Sequence, residues 1–407
     1  MSKNENSNLS GSKVDFLDRS FIQHPFPVYE KLRADEPIHR FLLPGGHYAW
    51  MVSRYEDAVN ILQDGRFVTS HPLQGQAGEQ APHMEIISQN LLSVSPEDHR
   101  RLRRLIQKAF TPRMIERLRG RIEEISDELL DKILLSGKRE IDLIEEYAFP
   151  LPLIVICEML GVPIEDQDKF QLWSNTIMES VSNPQMSQES DLVMKAFVDY
   201  LQGFIAERRQ ELKDDLISDL INVEEAGDKL TEQELYALVF VLIIAGHETT
   251  VNLIGNGLLA LLEHPEQKRL LVEEPNLIKA TVEEILRFNG PVEVSNVRWA
   301  TSNVELDGHQ IRQGDMMFVA VASANRDAKK FEEPDTFDIT RKVNDHISFG
   351  KGVHYCLGAP LARLEGEIAI ISLLQKLPEM KLNTKIDLLE WRSGMIIRGL
   401  KTLPITF

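Results

Sequence analysis

The chain has little sulfur chemistry to offer and no excess of positive charge. Only two cysteines, Cys157 and Cys356, occur in 407 residues. Two cannot build a disulfide framework, nor the sites of several thiolates or imidazoles that zinc and iron–sulfur clusters need. Lys and Arg number 45 against 63 Asp and Glu, a formal net charge of −18. That balance excludes a nucleic-acid binder built on a broad basic surface. No uninterrupted run of roughly 18 apolar residues occurs, so no membrane span is expected. The longest such run, Leu235–Gly246, ends in His247 and Glu248. The N-terminal region lacks a basic start followed by an apolar stretch, so no secretory leader is expected. Met1 to Ser12 is polar and reads as a disordered tail. No repeat and no low-complexity linker breaks the rest, so 13–407 reads as one domain. A cytoplasmic protein fits these absences.

What is present is mostly helical signal. Phe26–Arg33 opens a short helix after Pro25. Trp50–Ser53 reads as strand and the residues after it as helix. Thr69–Asn90 mixes Gly, Gln, His, Pro and Met without a period and reads as a loop. Ser95 precedes Pro96, Glu97 and Asp98, the signature of a capped helix start, and the helix should reach Phe110. Ile115–Leu135 and Pro152–Leu160 are expected to be helices, and Phe170–Lys213 two helices joined near Ser182–Gln188. Thr231–Leu262 is the longest helical segment and begins with a Thr231/Glu234 capping box. Its first half is apolar on every side, so it should run through the core. Short strands are expected at Val297–Thr301, Val304–Leu306, Met316–Ala322 and from Lys385 onward. The class is mainly α, a large helical part with a smaller strand-rich part.

Cys356 stands apart from Cys157. Cys157 lies in the apolar LPLIVICEML and reads as core. Cys356 sits among Gly350, Gly352 and Gly358, just before a helix. Glycines let the backbone come close to a bound group or take positive φ. A helix start aims N–H groups at the sulfur, which favours thiolate. Such a thiolate is a nucleophile or a metal ligand. With no second cysteine nearby, a single axial thiolate on haem iron is the metal site it suits.

The stretch Phe349-Gly-Lys-Gly352-Val-His354-Tyr-Cys356-Leu-Gly358 resembles the haem-binding signature F-x-x-G-x-H-x-C-x-G of the cytochrome P450 family. Three further motifs match in the family's order, and the likeness spans the chain from His24 to the terminal strands. The resemblance implies the cytochrome P450 fold and haem b, iron protoporphyrin IX, with Cys356 as metal ligand. Ala245-Gly246-His247-Glu248-Thr249-Thr250 is similar to the family's oxygen-binding segment. It implies a groove at Ala245 and Gly246 for O2, with Thr249 hydrogen-bonding the oxygen and Glu248 relaying protons through water. A buried carboxylate and hydroxyl are costly unless paired or used. Glu284 and Arg287 share a helix face and resemble the family's structural ion pair. By the same resemblance His99, Arg103, Arg298 and His354 hold the haem propionates, while Phe349 packs near the thiolate side.

The implied activity is that of a haem-thiolate monooxygenase inserting one oxygen atom of O2 into a C–H or C=C bond. No flavin or dinucleotide fingerprint follows a strand, so electrons are expected from a ferredoxin or flavodoxin with its reductase. Arg100, Arg101, Arg104 and Lys108, with Lys351 and Arg113, read either as solvated charge or as a docking patch for an acidic donor. Pro72–Leu92, Val241–Thr249, Val292–Val297 and Met395–Ile397 resemble the family's pocket walls; Val241, Ile244, Ala245, Val294 and Ile396 give an apolar wall and the first loop adds Gln, His and Met, suited to a polyketide or macrolide, a fatty acid or a terpenoid. A peroxide-driven enzyme and a haem sensor share the cysteine, but neither needs the Glu248–Thr249 pair.

Overall fold

The computed structural model describes residues 14–70, 89–182, 187–225 and 227–407. The expected N-terminal tail and most of the loop expected at Thr69–Asn90 lie outside the described residues.

The helix Glu232–Glu263 organises the rest. Thr231 and Glu234 close a reciprocal capping box at its start, satisfying two otherwise orphaned N–H groups. Its length and apolar composition would suffice for a bilayer span. Protein packs on it instead: Pro150–Leu160, Ile278–Asn289 and Ala359–Lys376 all lie against it. Two of its glycines are there for contact. A β-carbon on Gly255 would stand 2.5 Å from Ile144 Cδ1, and one on Gly257 2.8 Å from Ile285 Cδ1. The apolar side chains of these helices form the largest core.

A five-stranded sheet stands beside the helical part, in the order Ile38–Leu42, Tyr48–Val52, Met316–Val319, Arg298–Ala300, Phe67–Val68. The Tyr48–Val52/Met316–Val319 pair is parallel and the other three are antiparallel. Pairing of Arg298 with Met317 fixes where that arginine emerges. A three-stranded sheet joins Glu140–Asp142 to Pro404–Thr406 and Lys381–Leu382.

Several boundaries differ from expectation. The segment Ile115–Leu135 is two helices, Pro112–Arg117 and Arg119–Leu135, because the chain tightens at Leu118. Its N–H turns back to Ile115 and Glu116. Two helices, Gln167–Ser182 and Ser187–Gln210, cover the segment expected at Phe170–Lys213. The strand from Met316 stops at Val319, and Val321–Ala324 coils into a helical turn. After Lys385 only Pro404–Thr406 is strand; a hairpin with isolated bridges precedes it. The strand Ile38–Leu42 was not expected; it pairs with Tyr48–Val52 across a turn containing Gly45 and Gly46.

The Glu284–Arg287 pair is fully buried and bidentate, with both N···O distances 2.8 Å. Arg287 also donates to the carbonyls of Asn325, Pro334 and Thr336. Glu284 accepts from Arg341 and from the Asp338 N–H. A buried ion pair is tolerated only with its remaining valences satisfied. Here they clamp residues 325–344 onto Ile278–Asn289, immediately before the Cys356 loop.

Candidate functional site

The Cys356 loop is closed by its own backbone. Gly350 N–H donates to Ile347 O, Tyr355 N–H to Gly352 O and Cys356 N–H to Phe349 O. Gly350 and Gly352 take φ of +73° and +74°, which side chains disfavour. Ser348 and Ile347 anchor the loop to Leu286 and Asn325. The helix Ala359–Lys376 then starts at Gly358. The N–H groups of Gly358 and Ala359 point at the sulfur. They and the Arg103 and Arg363 cations favour thiolate, while desolvation of the sulfur pushes the thiol up, although the residue as a whole is exposed. A metal cation on the sulfur would complete the site. Among the described residues no group of three or more His, Cys, Asp or Glu could hold a metal ion. Cys157 is buried in the core, with its thiol pushed up to about 12.

Four cationic or cation-forming side chains converge from separate segments. His99 and Arg103 come from Pro96–Ala109, Arg298 from the sheet and His354 from the Cys356 loop. The His99 and His354 rings lie 4.1 Å apart. Burial, Arg103 and Arg298 push His99 down to about 4. Burial, Arg298, His99 and Arg103 push His354 down to about 3. Burial alone lowers Arg298 to about 10. Among the described residues none of the four pairs with a carboxylate. His99 Nε2 and Arg298 Nε are buried without a hydrogen-bond partner. Buried donors left this way are expensive. The cluster is built for an anion of more than one charge.

On the central helix, Ala245 and Gly246 are exposed between half-buried Ile244 and buried His247. Among the described residues, a β-carbon on Gly246 would first meet Ile156 Cδ1 at 4.0 Å. Thr249 Oγ1 donates to Ala245 O at 2.8 Å. Glu248 is 2 % exposed, and its Oε1 accepts from Asn252 Nδ2 at 3.3 Å and lies 3.5 Å from Arg392 Nε. Adjacent helical residues diverge, so the structure does not bring the Glu248 carboxylate onto the Thr249 hydroxyl.

Of the expected apolar wall, Val241 and Ile244 are half-buried and Ile396 is exposed. Val294 is fully buried in the cluster with Phe21, Tyr29 and Phe318 and is packing for that cluster. Most of Pro72–Leu92 lies outside the described residues. Arg100, Arg104 and Arg113 are exposed. Arg101 is engaged with Asp228 and Glu234, and Lys351 with Asp345, which removes both from a free basic patch. Phe349 stacks under the Arg363 guanidinium, itself paired with Glu283. Sequence reasoning missed Asn252, Arg341, Arg363 and Arg392. Asn252 alone left a signal, as a polar residue in an apolar helix one turn after Glu248.

The family model Cytochrome P450 matches residues 22–385. The chain belongs to the cytochrome P450 family. It is 43% identical to the polyketide biosynthesis cytochrome P450 PksS of Bacillus subtilis, over 95% of this chain and 97% of that protein. The solved PksS structure superposes with a TM-score of 0.90 at 42% identity, covering 97% of this chain and 99% of that one. Cytochrome P450 monooxygenase PikC of Streptomyces venezuelae is 40% identical over 96% of this chain and 92% of its own length. P450BioI, solved with a hexadec-9Z-enoic acid-ligated acyl carrier protein, matches with a TM-score of 0.88 at 38% identity, covering 95% and 99% of the two chains.

This P450, of the soluble bacterial type, is a haem b-dependent monooxygenase that uses O2, a mostly apolar substrate and separate redox partners. Its residues fit that cofactor. Haem b carries two carboxylates, matching four converging groups that lack a carboxylate and include two unpartnered donors. The sulfur and its two N–H donors would suit a thiolate ligand to the iron, and the exposed helix face at Ala245 and Gly246 would leave room for a bound group.

Proposed function

We propose that Cys356 ligates the haem iron and that His99, Arg103, Arg298 and His354 hold the propionates. The observation that carries this reading is the convergence of those four side chains beside a cysteine that already accepts two backbone N–H groups. Bound there, haem supplies oxygen activation and the oxidising power for an unactivated C–H bond. The chain supplies everything else. Ala245 and Gly246 leave room for O2. Thr249 turns its hydroxyl from Ala245 O to donate toward that oxygen. Glu248 delivers protons through water, since its carboxylate does not touch Thr249. Val241, Ile244 and Ile396 orient an apolar substrate and keep bulk water out.

The substrate is a large apolar chain of polyketide or fatty-acyl type, a reading supported by the apolar wall and by what the relatives' names describe. Electrons come from a ferredoxin or flavodoxin docking where Arg100, Arg104 and Arg113 are exposed, on a single domain spanning 13–407 that works in the cytoplasm. The test is Thr249→Ala in the haem-loaded enzyme. Electron consumption should continue while product gives way to hydrogen peroxide. An unchanged product yield per electron pair would refute the role given to Thr249.

A further inference from the structure

The C-terminal hairpin is fastened to one stripe of the central helix. Positions 248, 252 and 256 are successive i,i+4 neighbours and share a face. Each meets the hairpin. Arg392 Nε lies 3.5 Å from Glu248 Oε1. Gly399 packs so closely on Asn252 that a β-carbon would collide with its side-chain amide. Asn256 Nδ2 donates to Arg398 O at 3.0 Å. The hairpin is itself closed by Arg392 N–H to Gly399 O and Lys401 N–H to Glu390 O, both 2.8 Å.

Arg392 has a second side. With Phe21, Ile22, Glu293, Trp391 and Arg398 it lines a small cleft of about 10 Å³, room for about one water. Two polar atoms of this lining, Arg392 Nε and Glu293 Oε1, are buried without a hydrogen-bond partner. Buried polar groups in that state are usually satisfied by ordered water. Arg392, its side chain one quarter exposed, therefore stands between this cleft and a carboxylate only 2 % exposed.

We propose that Arg392 is the positioning residue that aims Glu248, and that the pocket beside it is the inlet for the protons Glu248 passes on. The proposal rests on the proton-relay role given to Glu248 above. A carboxylate this deep is costly to bury unless it is paired. Arg392 holds it in place from the hairpin side, and water at the cleft reloads it.

The test uses the haem-loaded enzyme with a ferredoxin, its reductase and the saturated fatty acid or macrolide giving the largest spin-state change. Arg392→Met, Arg392→Lys, Glu248→Gln and the Arg392→Met/Glu248→Gln double variant are compared. Arg392→Met is expected to cut product per electron pair roughly tenfold or more and to raise the solvent deuterium isotope effect on turnover. Half-saturation of the spin-state change should stay within about twofold of wild type, because the substrate wall is intact. Arg392→Lys should recover much of the yield. Arg392→Met should add nothing in the Glu248→Gln background, and the two thermal-unfolding shifts should be non-additive. The proposal is overturned if Arg392→Met keeps wild-type yield and isotope effect, if Lys fails to rescue, or if Met causes the same loss in both backgrounds. Should Glu248→Gln itself leave the yield unchanged, the relay role falls and takes this proposal with it. An impaired Glu248→Gln beside a normal Arg392→Met would sink the proposal alone.

Discussion

The imidazoles of His99 and His354 lie 4.1 Å apart, and burial, reinforced by Arg103 and Arg298, holds both well below the usual histidine range. Like-charged neighbours gathered without a carboxylate are unfavourable unless an anion joins them. Removing one charge should therefore weaken haem retention more than it weakens packing. Arg298→Met, which keeps the bulk of the buried stem, should release haem to an apomyoglobin acceptor about tenfold to a hundredfold faster, since a charge-assisted hydrogen bond is worth about 1.5–3 kcal/mol. An unchanged release rate would show that Arg298 does not bind the propionates.

Glu365 gives a pH signature. Burial pushes its carboxyl up to about 8, and the hydroxyl of Thr250 offsets this only in part. The folded chain keeps the proton through neutral pH, while the unfolded chain loses it near the ordinary value of 4.5. The folded state then binds more protons, so this group's contribution to stability is lost as pH rises from about 4.5 to about 8. Glu365→Gln should be nearly neutral at pH 5 and stabilising by about 1–3 kcal/mol at pH 7.5. Urea unfolding at the two pH values reads the difference. A gain equal at both would contradict a protonated Glu365.

Gly246 separates a packing role from a functional one. Unlike one on Gly255 or Gly257, a β-carbon on Gly246 would meet, among the described residues, only Ile156 Cδ1 at 4.0 Å outside its own helix. Gly246→Ala should raise helix stability by roughly 1 kcal/mol, the usual propensity gain. Its methyl would intrude on the exposed helix face proposed to leave room for O2 and lower product per electron pair. A higher melting temperature with a lower yield is the expected pattern; a fall in melting temperature would mean that protein closes on the position.

The local part of this site was legible in the sequence. The glycines around Cys356, the Ser95 and Thr231 caps and the Glu284–Arg287 spacing all act within a few residues, so pattern and chemistry coincide. The four side chains proposed to hold the propionates could be gathered only through the family resemblance, because three separate segments meet there only after folding. Arg392 and Arg341 left no local trace: each reaches a glutamate far away in sequence. The break at Leu118 was missed because both helices on either side keep a helical period. The end of the Met316 strand was missed because VAVAS stays apolar as it turns from strand to helix. Val294 looked like pocket wall by its neighbours, but the N-terminal segment covers it.

The most direct test of the account is the spectrum of the reduced, carbon-monoxide-bound haem-loaded protein, recorded beside Cys356→Ala. A strongly red-shifted Soret band in the wild type, absent from the variant, is the predicted result. A Soret band typical of neutral-ligand haem in freshly folded, haem-replete wild type, or a red-shifted band surviving in Cys356→Ala, would contradict it.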